Sequence, residues 1–332
     1  MDFLNRLEDS VERSAITQEI FITLTEFFHS YKDALERQGA SIYDHSNLLC
    51  EFLDMVEKQL AEPFHFDLFH KAITKPFDYY QFGLDFLRPL IIFSESRVEG
   101  EERIEEIEAV LAKGENVILL ANHQTEPDPQ AISLLLEKKN PLLAKNMIFV
   151  AGHRVTTDPL CVPLSMGRNL LCIFSKKHIE HDREKKQEKL QHNQRTMQMM
   201  GELLEEGGKA IYMAPSGGRD RPDANGQVDV APFNPQSVEM FRLIAMSTKT
   251  KTHFYPLSLA TYSLLPPPNS VDKELGEQRY TEATPIHLAF GAEYDMNRFD
   301  EREDLNKKEK RENRANEILQ TVRENYQKLI YP

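Results

Sequence analysis

Short apolar runs, each closed by a polar stretch, recur through the second part of this chain. The sharpest is Val117-Ile118-Leu119-Leu120-Ala121, which leads into Asn122-His123-Gln124-Thr125-Glu126-Pro127-Asp128-Pro129 and then a helical pattern from Gln130 to Glu137. Five consecutive apolar residues without polar alternation fit a strand buried on both faces, the kind found in parallel sheets covered by helices. Further strands fit 147–152, 170–174, 209–215, 253–261 and 285–292, and helices fit 129–139, 182–206, about 236–246 and about 305–330. This alternation predicts an α/β layer fold with a central mixed, largely parallel sheet flanked by helices.

Residues 1–90 read differently. Ile20, Leu24, Phe27, Phe28, Tyr31 and Leu35 recur at the spacing of one helix face, with Gly39 as a stop. A second helix fits 46–61 and a third about 68–87, interrupted near Pro76. Short connections predict a smaller N-terminal helical bundle over 1–90, beside an α/β domain over 91–332. A further helix face, Ile104, Ile107, Val110 and Leu111, closes at Gly114. Pro266-Pro267-Pro268 reads as a rigid loop.

Net charge is −13, so nucleic acid or an anionic membrane is not the expected partner. The first hundred residues carry about −9 of it, which makes basic clusters further on stand out. No apolar run reaches the roughly 18 residues that span a bilayer. The start, Met1-Asp2-Phe3-Leu4-Asn5-Arg6, has neither a secretory nor a transit pattern. Cys50, Cys161 and Cys172 are odd in number and widely spaced, which suggests a reducing compartment with no disulfide framework and no zinc site.

Loops at strand ends are where α/β enzymes hold reacting groups. Imidazole is the natural proton acceptor at neutral pH, and a carboxylate on its other N–H fixes the tautomer. His123 and Asp128 have that pairing available. Read alone, they are better taken as a loop histidine and a helix N-cap placed before Pro129. Three more polar stretches follow strands: Gly152 to Pro159, Ser175-Lys176-Lys177-His178, and Ala214-Pro215-Ser216-Gly217-Gly218-Arg219-Asp220-Arg221-Pro222. If the strands are parallel neighbours, one sheet edge gathers His123, Lys177, His178, Arg219 and Arg221 around Asp128. Arginine forks and lysine charges hold phosphate dianions, and Gly217-Gly218 lets backbone approach a ligand. Separately, these are an exposed lysine pair, a turn, and arginines paired with Asp220 and Asp223. There is no Walker loop, dinucleotide fingerprint or Gly-x-Ser-x-Gly elbow.

His123, four residues and Asp128 match the HX4D motif of the glycerolipid acyltransferases. With Thr157-Asp158-Pro159-Leu160-Cys161, Ser165-Met166-Gly167-Arg168-Asn169-Leu170 and the two basic stretches, the chain resembles the soluble, plastid-type glycerol-3-phosphate acyltransferases over about residues 115 to 292. That family also carries an N-terminal helical domain. Many membrane-bound members of the wider superfamily have Glu-Gly-Thr-Arg where this chain has Ser216-Gly217-Gly218-Arg219, which supports the soluble branch and leaves the role of Ser216 open.

The resemblance implies transfer of a fatty acyl group from acyl-acyl carrier protein or acyl-CoA to the sn-1 hydroxyl of glycerol 3-phosphate. His123 would be the general base and Asp128 its orienting partner. Lys177, His178, Arg219 and Arg221 would bind the substrate phosphate. A thioester is already activated, so direct attack needs no cofactor, no metal and no enzyme-bound acyl intermediate. The expected setting is a bacterial cytoplasm or a plastid stroma, with the protein a monomer that has no integral membrane segment. An acidic carrier protein is expected to dock near the basic mouth of the α/β domain. For the acyl chain, residues 197–204 or the proline loop could line a groove, although core packing is their favoured role. The rivals are an acyltransferase using lysophosphatidate as acceptor, a non-catalytic lipid or phosphoester binding protein, and a phosphate-ester hydrolase.

Overall fold

In the computed structural model, which describes residues 2–181, 184–268 and 278–331 and only the backbone at 176, 177 and 181, the apolar runs become strands of one sheet. The chain opens with α1 (Phe3–Glu12), α2 (Gln18–Arg37) and α3 (Ser46–Ala61), then β1 (Phe69–His70), α4 (Tyr79–Leu87), β2 (Arg97–Glu99) and α5 (Glu101–Ala112). Next come β3 (Asn116–Ala121), α6 (Asp128–Leu136), α7 (Pro141–Asn146), β4 (Ile148–Gly152), α8 (Val162–Ser165), β5 (Asn169–Ile173), α9 (Lys176–His181) and α10 (Lys186–Glu206). The remainder is β6 (Ala210–Met213), β7 (Arg221–Pro222), β8 (Val228–Asp229), α11 (Pro235–Met246), β9 (Thr252–Ala260), β10 (His287–Phe290) and α12 (Lys307–Ile330).

The main sheet has eight strands in the order β1-β5-β4-β6-β3-β9-β10-β2, and β7 and β8 form a separate two-stranded ribbon. Strands β5, β4, β6, β3 and β9 are parallel neighbours. β10 runs antiparallel to β9, and β1 antiparallel to β5, so the α/β class with a mixed, largely parallel sheet holds. In β3 every residue is buried, and successive side chains feed opposite faces. Val117, Leu119 and Ala121 join a core with Ile104 and Ile107 of α5 and Ile132 of α6. Ile118 and Leu120 join the other core, with Met200 and Leu204 of α10, Phe241 of α11 and Ile318 of α12. Gly207 closes α10 at φ +82°, and a Cβ there would lie 2.2 Å from the carbonyl oxygen of Gly114, so the return into β6 needs glycine twice over.

A third core is rich in aromatics. Phe27 and Tyr31 of α2, Phe52 of α3 and Phe86 of α4 interlock, with Phe52 and Phe86 centroids 4.8 Å apart, and they pack on Ala131 and Leu134 of α6. Thr17 caps α2 by accepting from the Ile20 N–H, and a complete capping box of Asn306 and Glu309 starts α12.

Three expectations are corrected. The segment 68–87 is not one interrupted helix: Phe69 and His70 form an edge strand on β5, and only Tyr79–Leu87 is helical. Helix 182–206 begins at Lys186, after a separate turn of helix at Lys176–His181, while its expected start at Asp182 lies outside the described residues. Asp128 is not a cap: it is the first residue of α6, with Pro127 in the cap position, and its carboxylate has other partners. Among the described residues, no helix is long and apolar enough to cross a membrane.

Candidate active site

β3 ends inside the sheet, and the polar loop after it is fastened before it reaches its helix. The Asn122 side chain accepts from the N–H of Leu259 at 2.8 Å and donates to that residue's carbonyl at 2.9 Å, which ties the loop to β9. Gln124 accepts from the N–H groups of Thr261 and Tyr262 at 2.7 and 3.0 Å. Asp128 is completely buried, yet its carboxylate is saturated. It accepts from Gln124 N–H at 2.8 Å, Thr125 N–H at 3.2 Å, the Thr125 hydroxyl at 2.8 Å and the Thr261 hydroxyl at 2.6 Å. Its last partner is Nδ1 of His123, at 2.8 Å. Burial alone would raise the Asp128 carboxyl; the hydrogen bond and charge of His123, with the hydrogen bonds from Thr261 and the Gln124 N–H, outweigh it and hold the group below its ordinary value. With Nδ1 donating to Asp128, Nε2 is left as the accepting nitrogen of the ring. His123 keeps 30% of its side chain exposed and lines a cavity.

Two residues before Asp128, Glu126 is the centre of an ion-pair cluster that the sequence reading does not single out. Arg279 lies 3.0 Å from it, Arg154 3.3 Å and Arg219 3.7 Å. Arg279 also pairs with buried Asp158 at 2.8 Å. Burial pushes the Glu126 carboxyl up, but the charges of Arg279, Arg219 and Arg154 overcome this and lower it to about 2. Arg154 follows β4 in a stretch already marked as polar, and Glu126 lies within the His-to-Asp spacing. Arg279 carries no local signal, because its link to Glu126 spans 153 residues. Cys161, 3.4 Å from Glu126, is pushed up by burial first and then by that carboxylate, so its thiol stays protonated.

The parallel order places the other polar stretches on this same carboxyl edge of the sheet. Arg219, after β6, meets the His123 loop through Glu126. Gly217 has a φ of +68° in the turn that turns the chain back, and Ser216 donates to the carbonyl of Gly218 at 2.8 Å, holding that turn. Arg221 donates to the carbonyl of Pro268. His178 stacks on His153 at 4.4 Å and on Phe174 at 5.5 Å. The side chain of Lys177 lies outside the described residues. β5 and β3 are separated by β4 and β6, a span of roughly 14 Å at about 4.8 Å per strand. His178 thus follows a strand three places along the edge from β3, whereas Arg219 follows β6, the direct neighbour of β3.

Below this edge is an apolar cavity, partly open to solvent. Leu24, Phe27, Phe52 and Phe86 supply its helical side, Phe149 and Leu164 its α/β side, and His123, Glu126 and Arg279 its polar rim. Residues 197–204 do not line it. Met200, Leu203 and Leu204 pack in the core on the opposite face of the sheet, the role favoured for them. An anchored imidazole thus stands between arginines and an apolar hole. Such a site can remove a proton from a hydroxyl group whose molecule is held by an anion, next to an apolar second reactant.

The chain is similar to known proteins over most of its length. The family model described as Acyltransferase matches residues 95–260. Chloroplastic glycerol-3-phosphate acyltransferase of Spinacia oleracea is 40% identical over 299 residues, covering 89% of this chain. Those of Arabidopsis thaliana and Cucurbita moschata are 41% and 42% identical, each over 84% of this chain. The aligned part is 63% of the spinach protein and 61% of the other two, so the chain spans less than two thirds of their length.

Proposed function

The chain belongs to the acyltransferase family, and from that premise we propose that it transfers a fatty acyl group from a thioester to the sn-1 hydroxyl of glycerol 3-phosphate. The donor is acyl-acyl carrier protein or acyl-CoA, and the product is 1-acyl-glycerol 3-phosphate. The observation that carries this reading is the 2.8 Å contact between His123 Nδ1 and the saturated Asp128 carboxylate at the rim of the apolar cavity.

Nε2 of His123 takes the proton of the hydroxyl as its oxygen attacks the thioester carbon. Asp128 stabilises the imidazolium that results. As the tetrahedral intermediate collapses, the C–S bond breaks and His123 returns the proton to the departing sulfur. The donor's hydrocarbon chain occupies the cavity between the helical segment and the sheet, where its burial in an apolar lining is favourable. Arg219, Arg221, Lys177 and His178 receive the phosphate, with Arg154 as an added donor. A fixed phosphate holds the hydroxyl against His123 and removes much of the entropic part of the barrier. The names of the chloroplastic relatives support the acceptor chosen here.

Steady-state kinetics of Arg219→Ala and Arg221→Ala test the acceptor side. Each deletion removes a charge-assisted contact, so KM for glycerol 3-phosphate should rise by about 10- to 100-fold while KM for the acyl donor changes little. Equal increases in both constants would remove the phosphate assignment.

A further inference from the structure

A buried carboxylate sits between Arg219 and Arg221, and the mechanism above does not use it. Asp220 is completely buried. Its N–H donates to the carbonyl of His123 at 2.6 Å. One carboxylate oxygen accepts from the Asn122 side chain at 2.8 Å, and the other from the N–H of Ala231 at 2.9 Å. Asp220 therefore grips both His123 and the residue before it, from the loop that carries the two arginines. We propose that Asp220 is a positioning residue that fixes the register between the His123 loop and the arginine loop, so that an acceptor held by its anion presents its hydroxyl to Nε2. This assignment rests on the reading given under Proposed function.

The charge is kept at a cost. Burial pushes the Asp220 carboxyl up to about 6, against the hydrogen bonds from Ala231 and Asn122. An amide of the same shape removes the cost of burying a charge. It also leaves one former donor, Asn122 or Ala231, facing an NH₂ group. These effects oppose each other in stability, whereas both disturb the register.

The test assays Asp220→Asn and Asp220→Glu with glycerol 3-phosphate and a long-chain acyl-CoA, alongside melting temperature. The first variant keeps the shape and the second keeps the charge. In both, kcat should fall by about 30-fold or more, since an error near 1 Å costs on the order of 100-fold. KM for acyl-CoA should stay within about threefold, and Asp220→Asn should melt within about 3 °C of the parent. Three results overturn the assignment: kcat near the parent value; a rise confined to KM for glycerol 3-phosphate, which makes Asp220 part of anion binding alone; or insolubility of both variants, which makes it a fold determinant. Failure of the parent protein to acylate glycerol 3-phosphate would instead remove the proposed function and is visible before any variant is made.

Discussion

His123→Ala should lower kcat by about three orders of magnitude and leave the fold unchanged. General-base catalysis by a positioned side chain is worth roughly 10²–10⁴-fold, and attack by a neutral alcohol on a thioester draws on the upper part of that range. The fold should survive because of how Asp128 is held. Removing the imidazole takes away one partner, but Gln124, Thr125 and Thr261 still supply four donors to the carboxylate. No buried charge is orphaned, and the lost side chain was 30% exposed. Melting within about 2 °C of the parent is expected, as for a surface substitution. Turnover at saturating substrates and thermal melting by circular dichroism check the two halves together. Turnover within tenfold of the parent would mean that another group takes the proton. A large loss of stability would mean that the imidazole is chiefly structural.

The second large effect falls on Glu126. Its carboxyl is lowered from 4.5 to about 2 by Arg279, Arg219 and Arg154, against the cost of burial. At about 1.4 kcal/mol per pKa unit, this is on the order of 3 kcal/mol of stability. Because the folded value lies below the unfolded one, the contribution is complete above about pH 5.5 and is lost as pH falls from 4.5 towards 2. Glu126→Gln should therefore destabilise the protein by about 3 kcal/mol at pH 7, or roughly 6–12 °C in melting temperature. The gap from the parent should narrow steadily below pH 4.5. Activity should fall as well, because Arg219 loses the carboxylate that ties it to the loop carrying His123. Chemical denaturation of both proteins at pH 7 and pH 3.5 decides the matter: a difference that is absent, or equal at both pH values, would contradict the electrostatic role.

The fold was legible where the signal is local. Val117–Ala121 announces a strand buried on both faces, and its neighbours in β4, β5, β6 and β9 follow from the same physics within a residue or two at each end. The edge strand Phe69–His70 was not legible: two residues are too few to show a period, and their pairing with Leu170 and Leu171 is about a hundred residues away. The start of α10 at Lys186 was not legible either, since the polar residues before it carry no apolar face to break.

The site divides along the same line. His123 and Asp128 are five positions apart on one loop, so a spacing rule finds them. Arg219 and Arg221 share a stretch with Gly217, whose left-handed φ of +68° is the kind of position that a Gly-Gly pair marks. Glu126 lay in plain view between His123 and Asp128, but nothing in the sequence distinguishes a carboxylate that neutralises three arginines from one that faces water. Arg279 and Asp158 were less visible still, because their pairing exists only once the helical segment, the β4 loop and the chain after residue 277 meet over the cavity.

On the proposed reading, one edge of the sheet holds an acceptor by its phosphate, beside a base and an apolar cavity for the acyl chain. The most direct test of that reading is an acyl-transfer assay on the purified protein, with glycerol 3-phosphate as acceptor and palmitoyl thioesters of carrier protein and of CoA as donors. Thiol release matched one for one by 1-acyl-glycerol 3-phosphate, with unphosphorylated glycerol inert at the same concentration, is the predicted result. Intact thioester in the presence of glycerol 3-phosphate, or transfer only to lysophosphatidate, would contradict it.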